Sequence, residues 1–212
     1  VEVAEHPDVL RYYPAMAQAA KKTANTQIRN MATLAGNLCN AAPSADNAPV
    51  LLARGAEVDI ACQIGSRCLS LDGFFKGPGL TALEPGEILT HILVPPPAKA
   101  SGASYQWISA RGKVDISAVC VGVQVRLEDD LLKSVRIVLG AVGPTPMRAK
   151  GTEVLLEGAK WSKALTARAA LKASEESMPI TDVRASAEYR RNMVAALTRR
   201  ALEEAHARAV QN

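Results

Sequence analysis

The chain has 212 residues, 48% of them apolar and 4% aromatic, with a formal net charge of +4. That is enough apolar chain to close one large or two small cores, so disorder is excluded. The modest charge, basic only in the last quarter, and the few aromatic rings argue against nucleic acid as a partner. No apolar run reaches the roughly 20 residues that cross a bilayer and no leader-like stretch precedes the first helix, so no membrane span and a cytoplasmic location are expected.

Chain order begins at Val1, inside what reads as the lead-in to a helix, which suggests one piece of a longer polypeptide. In 7-PDVLRYYPAMAQAAKK-22, Val9, Leu10, Tyr13, Met16, Ala17 and Ala20 recur at helical steps. Pro14 forbids one straight helix, so a short helix, a break and a second helix opening at Pro14 are predicted. After a small-residue stretch, 50-VLLARG-55 reads as a helix closed by Gly55. The runs 56-AEVDIAC-62 and 67-RCLSL-71 alternate around a hairpin loop, 63-QIGS-66, and 87-EILTHILV-94 is a third strand ended by 95-PPP-97. Those prolines mark the expected boundary between domains 1–97 and 98–212.

Beyond them, 104-SYQWISAR-111 leads into 117-SAVCVGVQVRLEDD-130, where Val119, Val121, Val123, Val125 and Leu127 predict a strand with one buried face. The pair 129-DD-130 turns the chain into 132-LKSVRIVLGAV-142. Helices are predicted at about 150 to 157, 162 to 177 and 185 to 208. In the last, Val194, Leu197, Ala201 and Leu202 form a stripe, and Arg190, Arg191, Arg199 and Arg200 crowd the remainder. An antiparallel sheet followed by a helical layer makes the class α+β.

The three histidines, His6, His91 and His206, sit in unrelated settings, so no hydrolytic triad can be assembled. The cysteines Cys39, Cys62, Cys68 and Cys120 include no C-x-x-C pair; zinc and iron-sulfur ligation fail on spacing, and reduced, buried thiols are expected. Any catalytic role therefore needs a cofactor. The stretch 33-TLAGNLCNAAPSADNAP-49 offers a surface for one. Gly36 allows close approach, Thr33 and Asn37 offer polar groups, Ala35, Ala41, Ala42 and Ala45 leave the backbone uncovered, and Asp46 supplies a single carboxylate. On the residues alone, a cofactor cradle and a structural loop both stay open.

The run 27-QIRNMATLAGNLCNAAPSADNAPVLLARGAEV-58 closely resembles the flavin-binding middle subunit of the molybdenum hydroxylases, the group that includes carbon monoxide dehydrogenase and xanthine dehydrogenase. The likeness continues, in family order, in 73-GFFKGPGLTALEPGEIL-89, 139-LGAVGPTPMRA-149 and 179-PITDVRASAEYRRNM-193, and so covers essentially the whole chain. It implies the second subdomain of a PCMH-type FAD-binding domain followed by a C-terminal domain of carbon monoxide dehydrogenase flavoprotein type.

By position, the resemblance implies that Thr33, Leu34, Ala35, Gly36 and Asn37 form a flavin loop, that Asp46 is the acidic flavin contact and that Ile88 or Leu89 is the apolar one. It implies an electron-transfer subunit that does not itself oxidise substrate, docked on a molybdenum-cofactor large subunit and an iron-sulfur small subunit. With Arg and Tyr favoured at interfaces, Tyr189 and Arg190 are expected at an inter-subunit contact. Three departures stand out. Ala35-Gly36 replaces a double glycine. The family's N-terminal Gly-Gly loop, which would be a further flavin-binding segment, is absent from this chain. Trp107 or Gln106 stands where the family often has lysine. A different class, an assembly subunit that has lost FAD, is the alternative.

Overall fold

The computed structural model describes residues 1–112 and 114–212. Its first part opens with short helices: α1 (Glu2–Glu5), α2 (Pro7–Tyr12), α3 (Pro14–Lys22), α4 (Thr26–Met31), α5 (Leu34–Cys39) and α6 (Asn47–Ala53). Pro14 occupies the first turn of α3, where a missing amide costs nothing. Asn25 and Thr33 cap α4 and α5 by accepting from the amides of Ile28 and Gly36. Gly55, just past α6, has φ +68°, the left-handed geometry that a helix stop favours.

Strands β1 (Glu57–Cys62), β2 (Gly65–Ser70) and β5 (Ile88–Leu93) form an antiparallel sheet in the order β2-β1-β5. The hairpin is tighter than expected: Cys62 pairs with Gly65, leaving Gln63 and Ile64 at the tip. Between β2 and β5 lie a 3-10 turn (Leu71–Gly73) and the small ribbon β3 (Phe75–Gly77) with β4 (Leu80–Thr81). The second sheet runs β6 (Ser101–Ile108), β7 (Val119–Glu128), β8 (Leu131–Gly140) and β9 (Met147–Arg148), antiparallel throughout. Asp129 and Asp130, both at positive φ, make its central turn. Helices α7 (Lys150–Leu156), α8 (Lys163–Glu176) and α9 (Ala187–Gln211) complete the chain.

The large sheet is buried on both faces, not on one as its alternation suggested. Val119, Val121, Val123 and Val125, with Val135, Ile137 and Leu139 of β8, pack under the terminal helices. On the opposite face Tyr105, Cys120 and Val138 join a core built from α3, α6 and the first sheet, so the two parts of the chain share a core across the proline run. Two even positions of β7, Cys120 and Gly122, are small, and the α6 backbone lies against Gly122. A Cβ on Gly122 would sit 2.6 Å from the carbonyl oxygen of Pro49 in α6. Gly122→Ala must push α6 off the sheet, and overpacking of this kind is expected to cost about 1–3 kcal/mol. A wild-type denaturation midpoint for that variant would contradict the seating of α6.

The cysteines also depart from expectation. All are free thiols, but Cys120 alone is buried, Cys39 is half-buried, and Cys62 and Cys68 are exposed on the β1–β2 hairpin. No described helix is long and apolar enough to cross a membrane, and no group of three or more His, Cys, Asp or Glu among the described residues could hold a metal ion.

Candidate functional site

The stretch from Thr33 to Pro49 is less open than its composition suggested. Its first third is α5, and Ala41, Ala45 and Ala48 are sealed in the interior, so these small side chains serve close packing and do not bare the backbone to a ligand. Two backbone hydrogen bonds tie the stretch to distant parts of the chain: Pro43 O accepts from Ala141 N (2.8 Å), and Ala41 O accepts from Gly79 N (3.1 Å).

What remains at the surface is the start of α5. Thr33 and Gly36 are exposed, and Leu34, Ala35 and Asn37 are half-buried. The Thr33 hydroxyl accepts from Gly36 N at 2.9 Å, and Asn37 N donates to Thr33 O at 3.1 Å. The amides of Leu34 and Ala35, as first-turn groups, have no helical acceptor and are available. A Cβ on Gly36 would stand 3.0 Å from Thr33 Oγ1, crowding that cap. Ala35, which replaces the family's first glycine, is half-buried and packs partly against the neighbouring core, so its methyl is not directed wholly at this face.

Asn37 Oδ1 accepts from Asn47 Nδ2 (3.1 Å), which also donates to Thr23 Oγ1 (3.0 Å), so a polar chain joins α5 to α6 and to the end of α3. The next residue back is Asp46, 8% exposed. It begins α6 without capping it. Its Oδ1 accepts instead from Tyr105 Oη and Ser117 Oγ, both at 2.7 Å, and among the described residues no donor reaches Oδ2. Burial raises the Tyr105 phenol well above its ordinary value, with Cys120 and Asp46 adding to the effect. Tyr105 therefore stays protonated and donates.

The structure separates the two apolar candidates on β5. Leu89 faces inward and belongs to the core, whereas Ile88 is 69% exposed and available to an aromatic ring. Trp107, one of the two residues that can stand at the place of the family's lysine, stacks on Tyr105 with centroids 5.5 Å apart and planes 17° apart, and is 39% exposed. Tyr105, Ser117 and Asn47 were not singled out from the sequence.

Tyr189 and Arg190 part company. Tyr189 is 42% exposed, but Arg190 is only 3% exposed and cannot reach a partner. Its guanidinium donates to Ala118 O and Ala141 O (both 2.8 Å) and to Asp182 Oδ1 (2.7 Å), locking β7, β8 and the loop before α9 together. For Arg190 the interface expectation is therefore corrected.

Residues 1–97 match the family described as the FAD binding domain in molybdopterin dehydrogenase, and residues 104–205 match the carbon monoxide dehydrogenase flavoprotein C-terminal domain. The putative xanthine dehydrogenase FAD-binding subunit of Escherichia coli K12 is 32% identical over 98% of this chain and 72% of its own length. The chain belongs to the FAD-binding medium-subunit family of the carbon monoxide and xanthine dehydrogenases. The medium chain of carbon monoxide dehydrogenase from Hydrogenophaga pseudoflava is 32% identical over 95% of this chain and 70% of its own length. A solved structure of carbon monoxide dehydrogenase from that organism, lacking the molybdenum-pyranopterin moiety, superposes with a TM-score of 0.93 at 31% identity, covering 98% of this chain and 72% of the solved one. Members of this family are FAD-binding subunits of oxidoreductases, distinct from the substrate-oxidising subunit.

Proposed function

We propose that this chain holds FAD against the start of α5 and passes electrons from iron-sulfur clusters to an external acceptor, within an assembly that includes a molybdenum-cofactor large subunit and an iron-sulfur small subunit. The observation that carries this reading is Asp46. It is a buried carboxylate whose one oxygen is saturated by Tyr105 and Ser117 and whose other oxygen has no protein donor among the described residues. That second oxygen is not among the fully buried, unpartnered polar atoms, so it lies within reach of the surface, where a ligand hydroxyl or N–H would donate to it. In this reading Leu34 and Ala35 donate backbone amides, Ile88 lies against a ring, and Thr33, Gly36 and Asn37 shape the face. Leu89 supports it from behind. Bound FAD would supply the electron-carrying chemistry that no side chain here offers. Residues 1–97 form the flavin-facing part and 98–212 the sheet-and-helix part, with a further flavin-binding segment completing the cradle.

One observation favours the alternative, a scaffold without flavin: the Thr33 hydroxyl and the Asn37 amide oxygen already have partners inside the chain. The visible absorption of the purified assembly separates the two. Two flavin bands are expected, and a colourless, fully assembled complex would leave the scaffold reading standing.

For Tyr189 the interface proposal stands. Tyr189→Ala, at an exposed position, should change folding stability by no more than about 0.5 kcal/mol while weakening co-purification with the partner subunits. Wild-type stoichiometry and salt tolerance of the variant complex would count against it.

A further inference from the structure

A second cavity, of about 380 Å³, opens where the start of α3, the segment after the proline run and the end of α9 meet. It shares no residue with the face built around α5 and Asp46. Arg11, Arg54, Lys99 and Arg208 line it, and no Asp or Glu side chain does. Arg208 is neutralised by Glu204. The other three cations are not. Arg11 lies over the Tyr12 ring at 5.0 Å, and neither it nor Lys99 enters an ion pair among the described residues.

Arg54 is the more telling of the three. It is half-buried, lies over the Tyr13 ring at 5.1 Å, and donates only to neutral acceptors, Gln124 Oε1 (2.7 Å) and Pro95 O (2.9 Å). Its Nε is buried with no partner. Burial without a carboxylate lowers the proton affinity of the guanidinium, with Tyr13 opposing. A partly buried charge of this kind gains from a bound anion.

The backbone fields at the cavity oppose each other. The first turn of α3, through Pro14 and Ala15, presents the positive end of its dipole, and the last turn of α9, through Gln211, presents a negative one. The side-chain cations decide the balance. Asn212 is also on the rim. The space exceeds what an inorganic anion needs, and Met16, Pro97 and the half-exposed Tyr12 supply apolar surface for an organic body.

We infer that this cavity is a binding site for a small organic phosphate, with the phosphate among Arg11, Lys99 and Arg54 and the organic portion against Tyr12, Met16 and Pro97. The inference goes beyond the flavin reading and does not depend on it. Helix α3 connects the two places: its first turn lines the cavity, and just past its other end Thr23 accepts from Asn47. Nine helical residues set them roughly 13 Å apart.

The test titrates the purified 212-residue chain with AMP, adenosine and inorganic phosphate by calorimetry, with and without FAD. AMP should bind at least about tenfold more tightly than adenosine and than inorganic phosphate, and more weakly as salt rises. Arg11→Gln combined with Lys99→Gln changes two exposed side chains, so the melting temperature should hold while AMP affinity falls at least about tenfold. Equal affinity for AMP and adenosine, or AMP affinity unchanged in the double variant, would overturn the inference. Displacement of AMP by FAD would also overturn it, by assigning the cavity to the flavin site. AMP binding that persists where the chain retains no FAD would support the independence of the cavity from the flavin face.

Discussion

Asp46→Ala is expected to destabilise the chain before any cofactor is considered. The substitution leaves the Tyr105 and Ser117 hydroxyls, each on a residue only 1% exposed, without an acceptor. An orphaned buried donor costs about 1–3 kcal/mol, so a total near 3 kcal/mol is expected. For a chain of this size that corresponds to a fall in melting temperature of roughly 6–12 °C. Tyr105→Phe removes one donor, keeps the carboxylate, and should cost only about 1 kcal/mol.

The two variants together separate scaffold from site. If Asp46 also meets the flavin, Asp46→Ala should weaken FAD retention by a further ~1.5–3 kcal/mol, measured at a temperature where both forms are folded, while Tyr105→Phe leaves retention nearly unchanged. A wild-type melting temperature for Asp46→Ala would refute the buried network. Unchanged flavin affinity would remove Asp46 from the site.

How much of this was legible depends on the range of the interaction. Local rules read the break at Pro14, the stop at Gly55 and the odd-numbered valines of β7, because each is fixed by residues a few positions apart. The helix α5 was missed because Gly36 and Asn37 are poor helix formers; the Thr33 cap and packing of Leu38 in the core override that preference. The second buried face of β7 was hidden in residues that look like interruptions, Cys120 and Gly122, whose smallness makes sense only once α6 lies on them. Asp46 was recognised as a lone carboxylate, but its partners are 59 and 71 positions away and no local pattern announces them. Arg190 was different, since the signal was present. It stands four, seven and eleven residues before Val194, Leu197 and Ala201, on the same helical stripe, and that spacing already placed it inside.

Arg190→Ala should therefore behave as a core substitution. It strands the carbonyls of Ala118 and Ala141 and leaves Asp182 with the Arg184 guanidinium alone. Orphaning the buried Ala118 carbonyl alone costs about 1–3 kcal/mol, in contrast to the near-neutral Tyr189→Ala one residue away. The pH dependence gives an independent check. The Asp182 carboxyl is held down to about 2, first by the Arg184 amide and then by Arg190. Because its folded value lies below the ordinary value of about 4, its stabilising contribution is complete above that pH and is lost as pH falls toward 2. Wild-type stability should accordingly drop across that window. Arg190→Ala should start lower at neutral pH and drop less steeply, because part of what protonation removes is already gone. A variant that melts like wild type at neutral pH, or that loses as much stability between pH 4 and pH 2, would show that Arg190 does not hold the ends of β7 and β8 to the loop that precedes α9.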